Sequence, residues 1–187
     1  MIAGCSVQID RPIVPAPPVA VSTTIEAKPY VGSASGALVA AANPLAVDAG
    51  IEVLAAGGSA VDAAIAVQAV LGLVEPQSSG LGGGAFLVHY DAATGDVVTY
   101  DGREIAPSGA RPDMFLDANG RPLDYTTAIR SGRSVGVPGA VAMLEMAHRE
   151  HGRLPWRQPW QRAATIASEG FEVSPRLHQI IGAALER

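Results

Sequence analysis

The glycine-rich stretch at residues 75–84, Glu-Pro-Gln-Ser-Ser-Gly-Leu-Gly-Gly-Gly, most constrains how this chain can fold. Four of its ten residues are glycine, and Pro76 fixes its own φ angle and disfavours helix at Glu75. A backbone so poor in side chains can pass very close to another strand or to a ligand. An alanine-rich apolar run precedes the stretch, and a strand-like segment follows it. We therefore predict a sharp turn from a buried helix into a sheet.

Capping and turn signals predict the other elements. Asn43-Pro44 is typical of a helix start, and Ser59 followed by Asp62 is typical of a second one. We interpret Asp62 as a helix-start charge rather than as a site residue. The predicted order is a strand over 37–42, helices over 44–56 and 60–74, a hairpin over 85–90 and 97–100, an irregular region over 108–133, and helices over 140–151, 160–169 and from 175 onward.

Composition narrows the class of protein. The 187 residues are 48% hydrophobic and 17% charged, with a formal net charge of -5 and no basic patch, so nucleic-acid binding is not expected. No apolar run is long enough to predict a membrane-spanning helix. The single cysteine excludes an internal disulfide framework.

Residues 1–34 are predicted to form a tail and a proline-rich linker ahead of a folded domain at 35–187. The segment Ile2-Ala3-Gly4-Cys5 is similar to the lipobox of bacterial lipoproteins, in which the cysteine is lipidated. The alternative is an incidental exposed cysteine, because four-residue matches arise easily by chance. The proline-rich segment after it favours a tethered lipoprotein with Cys5 as its anchor.

Three kinds of site are not supported by the motifs. A dinucleotide fingerprint must follow a strand and open a helix, whereas the glycines here follow a helix and open a strand. A serine nucleophile elbow would use Ser78 or Ser79, but Pro76 stands where its first glycine should be. No metal is expected, because the scattered histidines lack a ligand spacing and are expected on the surface; they are His89, His148, His151 and His178.

Arg103 is the candidate binding residue, because it follows a predicted strand and a guanidinium can hold a carboxylate through two parallel hydrogen bonds. The sequence alone also allows a purely structural ion pair with Asp101 or Glu104.

Seven motifs in order resemble the large chain of the gamma-glutamyltransferases (gamma-glutamyltranspeptidases), over about residues 37–187. Each motif is modest, but seven with suitable spacing are specific. They are Asn43-Pro-Leu-Ala46, Gly57-Gly-Ser-Ala-Val-Asp-Ala-Ala64, the glycine-rich stretch, Asp101-Gly-Arg-Glu-x-Ala-Pro107, Val135-Gly-Val-Pro-Gly139, Gly152-Arg-Leu-Pro-Trp156 and Glu169-Gly-Phe-x-Val-Ser-Pro-Arg176.

The resemblance implies an α+β fold, the αββα sandwich of N-terminal-nucleophile hydrolases, incomplete in this chain. It implies a self-cleaving precursor whose small chain begins with a nucleophilic threonine. That threonine takes the gamma-glutamyl group from glutathione or another donor and passes it to water, an amino acid or a peptide. It also implies that Arg103 grips the donor's α-carboxylate, that the glycine-rich stretch is mainly architectural, and that no cofactor is needed.

No catalytic residue is expected within this chain, because the threonine and its neighbours belong to the small chain; Thr126 and Thr127 lie too close to Arg103 to match it. The leading hypothesis is therefore a portion of an exported, periplasmic and lipid-anchored enzyme, inactive by itself. Two alternatives stay open. One is a relative with another substrate, such as a cephalosporin acylase or a polyglutamate-processing enzyme. The other is a non-catalytic scaffold remnant of a truncated gene.

Overall fold

The structure is a computed structural model that describes residues 36–78 and 80–185. The predicted linker at 1–34 and the proposed lipidation site Cys5 lie outside these residues. Within the described part, no helix is both long enough and apolar enough to cross a membrane. The elements are α1 (Pro44–Ala55), α2 (Ala60–Val74), β1 (Ala85–Tyr90), β2 (Val97–Gly102), α3 (Tyr125–Arg130), α4 (Ala140–His151), α5 (Gln161–Glu169) and α6 (Pro175–Leu185), with a 3₁₀ turn at Gly132–Ser134.

Helices α1 and α2 form a helical hairpin whose ends match the sequence signals. The Asn43 Oδ1 atom accepts a hydrogen bond from the Leu45 N–H at 3.0 Å, and Pro44 occupies the first turn of α1. Gly57 has a φ angle of 88°, in the left-handed region that favours glycine, and so ends the first helix. Ser59 and Asp62 form a reciprocal capping box at the start of α2. Both predicted helices are confirmed.

Helix α2 is central because it is buried on two sides. One side joins a cluster of apolar side chains from α1 and α5, including Ala46, Ala49 and Ile166. Its other side places Val61 and Ile65 in a second cluster with β2 and α4. The nearly all-apolar sequence of α2 predicted such burial, since a helix with no polar face has no side suited to water.

Strands β1 and β2 form the predicted antiparallel hairpin, in a register that pairs Ala85 with Gly102 and Tyr90 with Val97. One face of the hairpin packs Leu87 and Tyr100 against the second cluster. The opposite face carries Phe86, Val88, Tyr90 and Val97, all exposed. Alternation of side chains along each strand explains why one face is covered and the other is apolar and open.

Two sequence predictions were wrong. Residues 37–42 are not a strand: no described strand pairs with them, and Leu38 is 76% exposed. Alanine, which makes up four of the six residues, is depleted in strands, and a strand also needs a partner for its hydrogen bonds. Residues 108–133 are not wholly irregular, because α3 forms where the Asp124 Oδ1 atom accepts the Thr127 N–H at 3.0 Å. Asp124 is a capping signal that the nearby turn residues obscured.

Candidate functional site

The glycine-rich stretch packs its last residues directly onto the start of α4. The carbonyl oxygen of Gly83 accepts the N–H groups of Gly139 and Ala140, at 3.2 and 3.1 Å. A Cβ atom on Gly84 would overlap the Glu104 side chain and lie 2.9 Å from the Glu104 backbone nitrogen. Backbone at that distance cannot yield, so Gly84 is needed for close approach of the two segments. The architectural role expected for this stretch agrees with these contacts.

A second pair of glycines brings the end of β2 against the same segment. A Cβ atom on Gly139 would collide with the carbonyl group of Gly102. One on Gly102 would lie 2.7 Å from the Cβ of Met143. Beyond them, Ile105 and Val137 form an antiparallel bridge, with N–H to carbonyl distances of 3.4 and 2.9 Å. These contacts hold the residues around Arg103 at the junction of the hairpin, the glycine-rich stretch and α4.

Arg103 lies at this junction and lines a cavity of about 370 Å³. Its backbone N–H donates to Asp101 Oδ1 at 2.8 Å, and its Nε atom lies 3.5 Å from Glu104 Oε2. The Arg103 and Glu104 side chains are 70% and 38% exposed, so this ion pair contributes little to stability. Of the two ion pairs that the sequence allowed, the one with Glu104 is present, whereas Asp101 accepts only the Arg103 backbone N–H. Most of the Arg103 side chain stays accessible to a ligand.

The cavity beside Arg103, called here the Arg103 cavity, has walls that are polar and apolar in about equal measure. Seven of its lining residues are Ile105, Ala106, Pro107, Ala110, Met114, Phe115 and Val135. Its volume lies within the range of small-molecule sites, which combine apolar walls with a few polar groups that fix orientation. Such a cavity can hold a small ligand whose carboxylate pairs with Arg103.

Arg133 is a second cation on this cavity, and the sequence analysis did not identify it. Its Nη1 atom donates to the carbonyl oxygens of Met114 and Leu116, at 3.0 and 3.3 Å. These bonds join the 3₁₀ turn to a loop 17 and 19 residues away. No sequence pattern reveals a contact of this kind, because side-chain to backbone bonds between loops have no characteristic spacing.

The first residue of the glycine-rich stretch is tied to α6. Glu75 is buried, and its Oε2 atom accepts hydrogen bonds from Gln77 Nε2 at 2.6 Å and Arg176 Nη1 at 3.0 Å. The Arg176 Nη2 atom also donates to Ser78 Oγ at 3.1 Å. Two motifs that are about 100 residues apart therefore meet in one polar contact, which fixes the entry to the turn.

Asp62 is fully buried and joins α2 to the loop after α4. Its Oδ2 atom accepts the N–H groups of Ser59, Arg153 and Leu154, at 2.8, 2.8 and 3.2 Å. Burial opposes its ionisation, but these hydrogen bonds and one from the Ser59 hydroxyl outweigh burial and lower its pKa. His148 Nε2 lies 3.3 Å from Asp62 Oδ1. The structural interpretation of Asp62 is confirmed, although its reach to a second loop was not predicted.

The expectation of surface histidines is wrong for three of the four. His148 lies against Asp62, and its ring meets Trp156 edge-on at 5.1 Å. His89 and His151 stack at 3.8 Å between the hairpin and α4. Each of these rings occupies an interface because imidazole combines an apolar face with polar edges. His178 is exposed, as expected.

The Tyr100 hydroxyl completes the polar contact between the hairpin and α4. It donates to Glu150 Oε2 at 2.6 Å and lies 2.7 Å from His151 Nε2. Burial, together with the hydrogen bond to Glu150 and its negative charge, raises the pKa of Tyr100 to about 12. The phenol therefore stays protonated and acts as a structural donor. Among the described residues, no group of three or more His, Cys, Asp or Glu side chains could hold a metal ion.

Comparison with known proteins gives one consistent result. The family model for gamma-glutamyltranspeptidase matches residues 46–187. The chain is 41% identical over 144 residues to the glutathione hydrolase proenzyme of Bacillus subtilis strain 168, covering 77% of this chain and 24% of that protein. It is 44% identical over 113 residues to glutathione hydrolase 2 of Arabidopsis thaliana, covering 60% of this chain and 18% of that protein. This chain thus spans about a quarter or less of these curated relatives.

Solved structures agree with the sequence comparison. A gamma-glutamyltranspeptidase from Pseudomonas nitroreducens, complexed with L-DON, matches with a TM-score of 0.76 at 33% identity, over 81% of this chain and 44% of that chain. A cephalosporin acylase from Bacillus halodurans matches with a TM-score of 0.64 at 30% identity, over 78% of this chain and 26% of that chain.

Proposed function

Because this chain belongs to the gamma-glutamyltranspeptidase family, we propose that it supplies the donor-binding arginine, Arg103, of an enzyme that transfers or hydrolyses gamma-glutamyl groups. Its fold is part of the αββα sandwich of N-terminal-nucleophile hydrolases, which its solved relatives share. In this proposal the glycine-rich stretch and the start of α4 form the scaffold, and Arg103 forms the contact with substrate.

The chemistry requires a nucleophile that a small chain supplies. Its terminal threonine hydroxyl attacks the gamma-carbonyl carbon of the donor, the C–N bond breaks, and the amine leaves with a proton. The resulting glutamyl ester is then cleaved by water or by the amino group of an amino acid or peptide. The threonine α-amino group is a suitable base, because its pKa lies near neutrality. Glutathione is the first donor to test. In this proposal the precursor is also a zymogen that cleaves itself.

The position of Arg103 is the observation that supports this proposal. Arg103 lines a small cavity, and its guanidinium is only weakly engaged by Glu104. A donor's α-carboxylate can therefore replace water on the guanidinium without breaking a strong internal ion pair. The contact would fix the glutamyl group, and an oriented substrate reacts faster because its entropy is lost on binding rather than in the transition state.

The test is the substitution Arg103→Ala in the full-length protein that carries this chain, assayed on a gamma-glutamyl anilide. We expect kcat/KM to fall by an amount equivalent to about 2–5 kcal/mol, because the donor carboxylate would be left unpaired in the cavity. Arg111→Ala is the matched control: Arg111 is an exposed arginine paired with Asp113 at 3.2 Å, outside the Arg103 cavity. An unchanged kcat/KM in Arg103→Ala would refute the assignment.

A cephalosporin acylase is the second candidate, and the Bacillus halodurans structure supports it. An acyl side chain that ends in a carboxylate could use the same arginine. Parallel assays with a gamma-glutamyl anilide and a glutaryl cephalosporin separate the two activities. A polyglutamate-processing enzyme remains a variant of the first proposal, distinguished by release of products from a gamma-linked glutamate oligomer.

Export and anchoring are further parts of the proposal. The lipobox-like segment at Cys5 and the proline-rich segment after it support a periplasmic, lipid-anchored protein. Metabolic labelling with a fatty acid tests this directly. We expect label in the parent protein and none in Cys5→Ser, whereas equal label in both would contradict the anchor.

A further inference from the structure

We propose that Arg133 is a second anion-binding residue of the Arg103 cavity and selects donors whose leaving group carries a carboxylate. This inference rests on the proposed function and names its substrate class. Donors of this class are gamma-glutamyl amino acids and peptides, in which the leaving amine has its own carboxylate. Donors outside it are gamma-glutamyl amines and amides with a neutral leaving group.

Arg133 lies between the Arg103 cavity and a neighbouring cavity, and it is bonded to carbonyl groups instead of carboxylates. Its Nη1 atom donates to Met114 and Leu116, at 3.0 and 3.3 Å. Among residues 36–78 and 80–185, no carboxylate forms an ion pair with it. Neutral carbonyl oxygens orient a guanidinium without cancelling its charge, so the positive charge of Arg133 stays available to a ligand.

The remaining hydrogen-bond donors of Arg133 are uncommitted within the described residues. A guanidinium has five N–H donors, and both bonds to the loop use Nη1. Nε and Nη2 have no protein acceptor among residues 36–78 and 80–185. These two atoms form one edge of the fork, which is the geometry that binds a carboxylate in a bidentate manner.

The charge balance of the cavity favours a ligand with two negative groups. Its charged lining residues are Arg103, Arg133 and Glu104, and Glu104 partly offsets Arg103 at 3.5 Å. The nearby Ser134 hydroxyl is already bonded to the Ile129 and Ser131 carbonyl oxygens, both at 3.0 Å. The charges of Arg103, Arg133 and Glu104 sum to +1. The α-ammonium and α-carboxylate of a gamma-glutamyl group cancel each other, so such a group alone leaves this positive charge unbalanced. A second carboxylate on the leaving group would match it.

The test uses two donors that differ only in that second carboxylate, gamma-glutamyl-glycine and gamma-glutamyl-glycinamide. Both keep the α-carboxylate that Arg103 binds. Release of glutamate is measured for the full-length protein that carries this chain and for three variants, Arg133→Met, Arg133→Lys and Arg130→Met. Arg130 is a matched control, since it is an exposed arginine at the end of α3 that does not line the cavity.

We expect the parent to prefer gamma-glutamyl-glycine by about tenfold or more in kcat/KM, which is the size of a charge-assisted hydrogen-bond effect. Arg133→Met should abolish this preference while still hydrolysing gamma-glutamyl-glycinamide. Arg133→Lys should keep most of it, because the charge remains, and Arg130→Met should leave the ratio unchanged.

Three results would overturn the inference. No preference in the parent, or an equal loss of kcat/KM on both donors in Arg133→Met, would show that Arg133 only supports the loop. Loss of the preference in Arg133→Lys to the level of Arg133→Met would exclude a role for its charge. Turnover of neither donor by the parent would instead overturn the proposed function, and this inference with it.

Discussion

Replacing Asp62 with asparagine tests how the buried carboxylate holds α2 to the loop after α4. The change keeps the size of the side chain and removes its charge. In the native protein one oxygen accepts three backbone N–H groups at 2.8 to 3.2 Å, and the side chain is fully buried. The same substitution at Asp48, an exposed residue of α1, is the matched control.

The expected loss in the free energy of unfolding is about 2–4 kcal/mol. Hydrogen bonds to a charged acceptor contribute about 1.5–3 kcal/mol each and neutral ones about 1, so three bonds each lose a fraction of their strength. The amide group of an asparagine would also place a donor towards His148 Nε2, which already lies 2.9 Å from the Leu154 carbonyl oxygen. Asp48→Asn should change stability by less than about 0.5 kcal/mol.

Urea unfolding followed by tryptophan fluorescence measures this loss, because Trp156 packs edge-on against His148. The pH dependence gives a second check. Hydrogen bonding lowers the pKa of Asp62 in the folded state below its ordinary value of 3.8. The stabilisation is therefore complete above that value and is lost as the pH falls through the lowered pKa.

The difference in the free energy of unfolding between the parent and Asp62→Asn should therefore be constant from about pH 5 to 7, where the carboxylate is ionised in both the folded and the unfolded state. It should become smaller at lower pH. A loss in the free energy of unfolding below about 1 kcal/mol at neutral pH would show that the hydrogen bonds to Asp62 do not hold α2 to the loop after α4. A difference that grows on acidification would show that the carboxylate is not stabilised in its ionised form.

Three further predictions concern the scaffold. Gly84→Ala should destabilise the protein by about 1–3 kcal/mol in urea unfolding, because the new Cβ would meet Glu104. Gly82→Ala is the control and should have little effect, because no atom lies within 4 Å of a Cβ at that position. Equal effects of the two substitutions would show that Gly84 is not needed for close approach. Arg176→Met should lower the free energy of unfolding by about 1–3 kcal/mol, because buried Glu75 would have one fewer hydrogen-bond donor. A loss below about 0.5 kcal/mol would show that this contact does not stabilise the fold. The purified 187-residue chain should show no hydrolysis of a gamma-glutamyl anilide, and turnover that survives further purification would place a nucleophile within it.

The sequence was sufficient for the elements whose ends carry local signals. Asn43, Ser59 and the glycines after α1 mark helix boundaries through hydrogen bonds that span only a few residues. The hairpin followed from two strand-like segments on either side of a polar turn that contains glycine. Arg103 was identified from the family resemblance, since local chemistry alone could not choose between an ion pair and a substrate contact.

Contacts between distant segments were beyond sequence reasoning. Arg133 bonds to a loop 17 and 19 residues away, and the Asp62 carboxylate reaches backbone 91 and 92 residues away. Neither contact is predicted by a hydrophobic periodicity or by a helix-capping pattern in the sequence. The predicted strand at 37–42 was wrong for a related reason, because strand formation depends on a partner that composition does not specify.

The contact between Arg103 and the donor's α-carboxylate is the central claim, and a cycle of protein and substrate changes tests it most directly. The substrates are a gamma-glutamyl anilide and a 4-aminobutanoyl anilide, which lacks only the α-carboxylate, and the proteins are the parent and Arg103→Ala. We predict that removing either partner costs about as much as removing both, with a coupling energy of about 2 kcal/mol or more, equivalent to roughly 30-fold in kcat/KM. Independent, additive losses would show that Arg103 does not bind that carboxylate.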